Sequence, residues 1–225
     1  MTVLLNPVTR SYHDAVPRPF TPDESDHIRS RLRAAGAEAF AQRGLRGTTV
    51  DDLARAAGIS KGGFYRFYDS KEALLLALLD EYETAAHAEI EAAVRADPHG
   101  GIEYLIDSAV HALQSHPLLT VLMSEEGLRV LRTATPEQQT RLLDRDVRLV
   151  RRVVSVMRDS GVETDVPERV LLGLMRSLVF AGHHRDDIGP DLLDDLSGWL
   201  KTTLRTALRP VTAPVPGPVT GSTGR

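Results

Sequence analysis

The chain has 225 residues, 42% of them hydrophobic, enough for one or two buried cores. It contains no cysteine, which excludes disulfides, thiolate metal sites and a thiol nucleophile, and fits a reducing compartment. There is no run of about 18 uncharged apolar residues and no basic-then-apolar secretory pattern at the N-terminus, so a cytoplasmic protein with no membrane span is expected.

The formal net charge of −4 is unevenly spread. Residues 1–26 carry −2, residues 27–71 carry +5 and the remaining 154 carry −7. A small basic module on a larger acidic body points to a polyanion met by the module alone.

In chain order, residues 1–22 hold Pro7, Pro17, Pro19 and Pro22 without apolar periodicity and read as a flexible arm. Thr21-Pro22-Asp23-Glu24 is a helix start, and Ile28, Leu32, Ala35, Ala39 and Phe40 recur at helical spacing up to Gly44. Thr48 or Thr49 can cap a short helix over Val50 to Ala57. Gly58-Ile59-Ser60 then makes a three-residue turn, with Ser60 placed to cap the next helix. This is a helix-turn-helix over residues 23–71. Phe64 and Tyr68, four apart, should anchor the second helix of the pair in the core. Gly62 and Gly63 each cost a helix interior about 1 kcal/mol relative to alanine. A bare surface there lets the helix sink into a major groove while Lys61, Tyr65 and Arg66 reach phosphates and base edges.

The segments Thr48-Thr49-Val50-Asp51-Asp52-Leu53-Ala54, Gly58-Ile59-Ser60-Lys61-Gly62, Phe64-Tyr65 and Ser70-Lys71-Glu72-Ala73-Leu74 resemble the tetracycline-repressor (TetR) family. The resemblance implies an all-α protein: an N-terminal three-helix DNA-binding domain and a larger helical domain that binds an effector and dimerises. It also implies phosphate contacts from Thr49, Ser60, Tyr65 and Lys71, with Lys61, Gly62 and Arg66 closest to bases. Thr49 and Ser60 could equally be caps, and Lys71 a surface lysine. Where the family usually has a histidine and a phenylalanine, this chain has Phe67-Tyr68. Phe67 cannot donate to a phosphate, although it could touch a thymine methyl.

A long linking helix is expected over Glu72 to Val94, with an apolar stripe of Ala73, Leu74, Ala77, Leu78, Tyr82 and Ala85. After a break at Asp97-Pro98-His99-Gly100-Gly101, further helices are expected near 102–114, 117–132, 136–160, 166–183 and 190–208. They form a body over 72–209, followed by a disordered tail over 210–225. No strand alternation of useful length appears.

Paired half-sites on DNA call for a dimer. Gly173, Ser177 and Ala181 form a small-residue row that permits close helix approach, and Leu192, Leu196, Trp199 and Thr203 a bulkier stripe, so the last two helices are the candidate dimer surface; the resemblance implies a four-helix bundle of two helices from each subunit there. The row could instead pack within one subunit. Tyr104, Asp107 and His111, with Met123 and Arg176, are candidate contacts for a small-molecule effector in a helical cleft. A solvated face, a salt bridge and core filling are the plainer readings of these residues.

His183-His184 is the densest pair of metal-type ligands, and His13-Asp14 is a dipeptide found in metal phosphohydrolases. Adjacent histidines diverge by about 100° on a helix, and His13 lies in the arm, so no metal, cofactor or catalytic residue is expected. The reading is a homodimeric regulator, a repressor on a pseudo-palindromic DNA operator, released by an effector. The alternatives are a regulator switched by a protein partner, or a helical metal-dependent hydrolase.

Overall fold

The computed structural model describes residues 20–211, apart from the side chains at 138, 139 and 141–143. The expected tail beyond 211 and the arm before Phe20 lie outside the described residues. The described residues form eleven helices and one two-stranded ribbon.

Helix α1, Pro22–Arg43, starts at a reciprocal cap: Glu24 N–H donates to Thr21 Oγ1 (3.2 Å), and Thr21 N–H donates to the Glu24 carboxylate (2.8 Å). Helices α2, Val50–Ala56, and α3, Lys61–Phe64, are capped by Thr49 and Ser60. Helix α4, Lys71–Ala96, is capped by Ser70. These short elements are stable because they share one core. Leu32, Phe40, Leu53, Phe64, Leu74, Leu75 and Leu79 are almost wholly buried in it, and each such side chain contributes about 1.5–3 kcal/mol.

This first core runs past residue 72. It takes the first turns of α4, together with Leu118, Val121 and Leu122 of α6, Pro117–Met123, and Val130 of α7, Glu125–Thr133. The single helix expected over 117–132 is two helices, because Ser124 accepts from Gly127 N–H (3.2 Å) and starts α7 afresh.

The second core is built around α5, Gly101–Ser115, with the last turns of α4, α8 (Pro136–Asp159), α9 (Glu168–His183) and α11 (Pro190–Arg205). Val110, Val153, Met157 and Leu193 are among its most buried members. A one-turn helix α10, Arg185–Ile188, joins α9 to α11. Strand β1, Val162–Thr164, pairs antiparallel with β2, Leu208–Pro210, with Val162 opposite Pro210. Three-residue strands are too short to show alternation in a sequence. The ribbon holds Arg209 and Pro210, where the sequence predicts the start of the tail, and Val211 N–H continues the pairing to the Gly161 carbonyl (2.9 Å).

Between its two apolar ends α4 is polar. Asp80 and Glu83 both contact Arg145 of α8, and Glu91 accepts from Arg152 (3.1 Å). Burial, reinforced by the charge of Asp146, pushes the Glu83 carboxyl up to about 7, and burial holds His87 below the usual histidine value. A carboxyl raised on folding adds stability that is fully present below its unfolded value and is lost as pH rises through about 7. Glu83→Gln is therefore expected to shrink the fall in melting temperature between pH 5 and pH 8. Parallel melts of both proteins check this, and an unchanged pH slope would contradict it.

Gly182 of α9 faces the α5 backbone, and a Cβ there would lie 2.7 Å from the Val110 carbonyl oxygen. Gly182→Ala is expected to destabilise by about 1–3 kcal/mol, read as a lower denaturation midpoint.

Candidate nucleic-acid interface

The α2–α3 turn is set by Gly58 at φ +70, where any Cβ would also meet the Arg31 guanidinium at 2.6 Å. Ile59 N–H donates back to the Ala54 carbonyl (2.9 Å), and its side chain packs on the first core. Ser60 Oγ accepts from Gly63 N–H (3.1 Å). Beyond Phe64 the chain continues in tight turns, with Arg66 and Phe67 N–H donating to the carbonyls of Gly63 and Phe64. Phe64 is fully buried, and the partly buried Tyr68 ring lies 6.0 Å from it, as the spacing predicts.

The two glycines differ. Gly62 is exposed, and the nearest heavy atom to a Cβ there would be Ser60 Oγ at 4.0 Å. Gly63, expected beside it on the open surface, is buried, and a Cβ there would lie only 3.3 Å from the Ile59 side chain. Its missing side chain serves packing, because α3 is one turn long and its opposite side faces inward.

Lys61, Tyr65 and Arg66 surround Gly62 on the exposed side, Tyr65 at 49% exposure. Lys61 Nζ pairs with Asp51 (2.8 Å), which holds its pKa above the usual lysine value and keeps it charged. Thr49 Oγ1 accepts from Asp52 N–H (3.2 Å) and donates to the Asp52 carboxylate (2.6 Å), and this bond lowers the Asp52 pKa. Its proton is thus already committed within α2. Lys71 Nζ donates to the carbonyls of Leu45 (2.7 Å) and Thr48 (2.9 Å), tying α4 to the α1–α2 loop. Thr48 is buried, and its hydroxyl lies 2.9 Å from the Gly44 carbonyl and 3.2 Å from that of Ala39. Phe67 packs on the first core and on Phe20, a residue that the surrounding prolines place in the arm on sequence alone.

Between α1 and α2 lies a groove of about 560 Å³ lined by Arg31, Arg43 and Arg55, by the acidic Glu38 and Asp52, and by apolar residues including Ala39 and Leu53. The arginines belong to the basic module, but their gathering around one groove depends on how α1 crosses α2.

In the body, Asp107 of α5 pairs with Lys201 (2.7 Å) and Glu103 with Arg205 (2.6 Å), so this polar face is stitched to α11. Tyr104 is exposed, and His111 Nδ1 lies 2.9 Å from the Asp107 carbonyl on the exposed side. Arg176 turns the other way, to Asp146 of α8 (2.9 Å), and Met123 is half-buried on α6. The structure does not gather these five residues. A cavity of about 10 Å³ between α5, α9 and α11 is lined instead by Ile102, Leu105, Ile106, Leu171, Leu174, Met175 and Leu204.

Leu192, Leu196 and Trp199 are 65%, 45% and 64% exposed, Thr203 is exposed beside them, and Gly173 and Ser177 lie on α9. Ala181 turns inward onto the second core, and Phe180 stands out at 55%. Eight residues advance a helix face by about 80° beyond two turns, whereas seven fall about 20° short, so the outward row is Gly173, Ser177, Phe180. His183 and His184 stack edge to face, and His184 contacts Asp187 (3.1 Å). Among the described residues no three or more histidine or acidic side chains come together to hold a metal ion, and no helix is long and apolar enough to cross a membrane.

A family model described as bacterial regulatory proteins, tetR family, matches residues 32–78. The HTH-type transcriptional repressor KstR2 of Rhodococcus jostii is 33% identical over 100 residues, 43% of this chain and 49% of that protein. The HTH-type transcriptional regulator EthR of Mycolicibacterium smegmatis is 42% identical over 72 residues, 31% of this chain and 33% of that protein. The chain thus matches about half the length of these relatives or less. In fold it is similar to a TetR-family transcriptional regulator from Pectobacterium atrosepticum, with TM-score 0.61 and 23% identity over 85% of this chain and 100% of that one. The fatty acid degradation regulator FadR of Bacillus halodurans gives TM-score 0.58 and 16% identity over 83% and 96%. Residues 32–78 thus match the tetR family of bacterial regulatory proteins in sequence, and the all-α fold is similar to that of solved regulators across most of the chain.

Proposed function

We propose that this protein is a DNA-binding transcriptional regulator that represses by holding a pseudo-palindromic operator as a homodimer and is released by a small-molecule effector. The observation that carries the reading is the open Gly62 backbone ringed by Lys61, Tyr65 and Arg66 on a helix anchored by a fully buried Phe64. Gly62 lets the helix approach the floor of a major groove. Tyr65 binds phosphate, and Lys61 and Arg66 reach base edges. Thr49 and Lys71 act from behind, by holding the α2 start and the α1–α2 loop.

The exposed apolar side chains of α9 and α11 support dimerisation: Leu192, Leu196 and Trp199 share one face of α11, and Phe180 stands exposed on α9. Gly173 and Ser177 let the facing helices approach, and Thr203 ends the stripe.

Effector sites are usually cavities of about 300–1,000 Å³, so an apolar effector must widen the seam between α5, α9 and α11. α5 runs through His116 directly into α6, whose Leu118, Val121 and Leu122 sit in the first core. Displacing α5 would therefore move the support of the DNA-binding helices, and DNA and effector would weaken each other reciprocally.

Selection of bound fragments from random DNA with the full chain tests the reading. An enriched inverted repeat with steep salt dependence is expected, and no enrichment at low salt would overturn it. Gly62→Leu has room in the free protein, so it is expected to leave the melting temperature unchanged or raised while operator affinity drops at least about ten-fold. Lys71→Ala should lower melting temperature and affinity together.

Trp199→Asp is expected to shift the protein from dimer to monomer in sedimentation and to weaken operator binding with it. A dimer that persists unchanged would place the interface elsewhere.

A further inference from the structure

Phe20 stands immediately before the α1 cap, where the reciprocal bonds between Thr21 and Glu24 fix its backbone. Its ring lies 5.8 Å from the Phe67 ring, and both pack partly buried against the first core. The Arg66 guanidinium sits 4.6 Å above the centre of the Phe20 ring, and that of Arg29 lies 5.7 Å from the Phe67 ring. Arg66, Phe20, Phe67 and Arg29 thus form a chain of cation–π and tilted ring contacts that joins the exit of α3 to the first turns of α1. Arg29 is further held by Asp26 (3.0 Å), whereas Arg66 makes no ion pair with a described residue. The aromatic face is what restrains Arg66.

An unrestrained arginine loses rotamer freedom when it docks on a base edge, and contact with an aromatic ring removes part of that loss in advance. Phe67 gives Phe20 its seat, which supplies a reason for an aromatic ring at a position where a histidine would instead donate to phosphate. We propose that Phe20, outside the helix-turn-helix, is a positioning residue for Arg66 and thereby sets sequence preference at the base pair Arg66 reads. The proposal rests on the DNA-binding reading above.

The test uses the full chain, the duplex that wild-type selection enriches, and duplexes with each base pair exchanged in turn. Arg66→Ala first locates the base pair concerned. Phe20→Leu keeps apolar bulk without a ring face, and is expected to lose about three- to ten-fold discrimination at that same base pair, with salt slope and random-DNA affinity unchanged. Phe20→Trp restores the discrimination, and Phe20→Leu combined with Arg66→Ala loses no more than Arg66→Ala alone. Discrimination intact in Phe20→Leu, a loss spread evenly over all base pairs and random DNA, or an Arg66→Ala protein with unaltered preference would each overturn the positioning role while leaving the regulator standing. Failure of the wild type to enrich any duplex would remove both.

Discussion

Helix α4 is one unbroken rod of 26 residues, about 39 Å long, whose two ends belong to different cores. Leu74, Leu75 and Leu79 are buried with Phe40 and Phe64, while Ile90 and Val94 are buried with α5 and α8. No loop interrupts the rod to absorb a displacement. At the end nearer the helix-turn-helix, Lys71 ties α4 to the α1–α2 loop. The polar middle of the rod, with Arg145 against Asp80 and Glu83, is where the two cores part and where burial raises the proton affinity of a carboxyl.

The basic module divides its cations between holding the domain together and facing outward. Lys71 donates to backbone carbonyls, Arg33 pairs with Glu81 of α4 (2.8 Å), and Lys61 leans on Asp51. Such pairing orients side chains in the free protein without removing their charge. A half-exposed pair like Lys61 and Asp51 contributes little to stability, and phosphate can displace the carboxylate.

The proposed dimer accounts for the exposed apolar side chains of α9 and α11. A subunit that leaves Trp199, Leu192 and Phe180 in water carries a liability unless a second copy covers them. An isologous pair uses the same patch twice, which suits an inverted-repeat site.

The helices up to α5, the caps at Thr21, Thr49 and Ser60, the Gly58 turn and the buried anchors Phe64 and Leu53 were legible in the sequence, because helical spacing and capping chemistry are local and act within four residues, whereas the Ser124 break between α6 and α7 was not read from it. The basic module and the outward stripe on α11 were legible for the same reason. Only the tertiary structure decided between Gly62 and Gly63, since both are glycine and their difference lies in whether Ile59 stands above them. It alone showed Lys71 tied to Leu45 and Thr48, Asp107 taken by Lys201, and Phe20 seated on Phe67. Those partners lie between 23 and 94 residues away, and no local pattern encodes which side chain a packed helix brings within reach. The sequence by itself determined an all-α chain with a helix-turn-helix; the packing of α1 and α4 around Phe64 decided which of its charged and aromatic residues are left exposed.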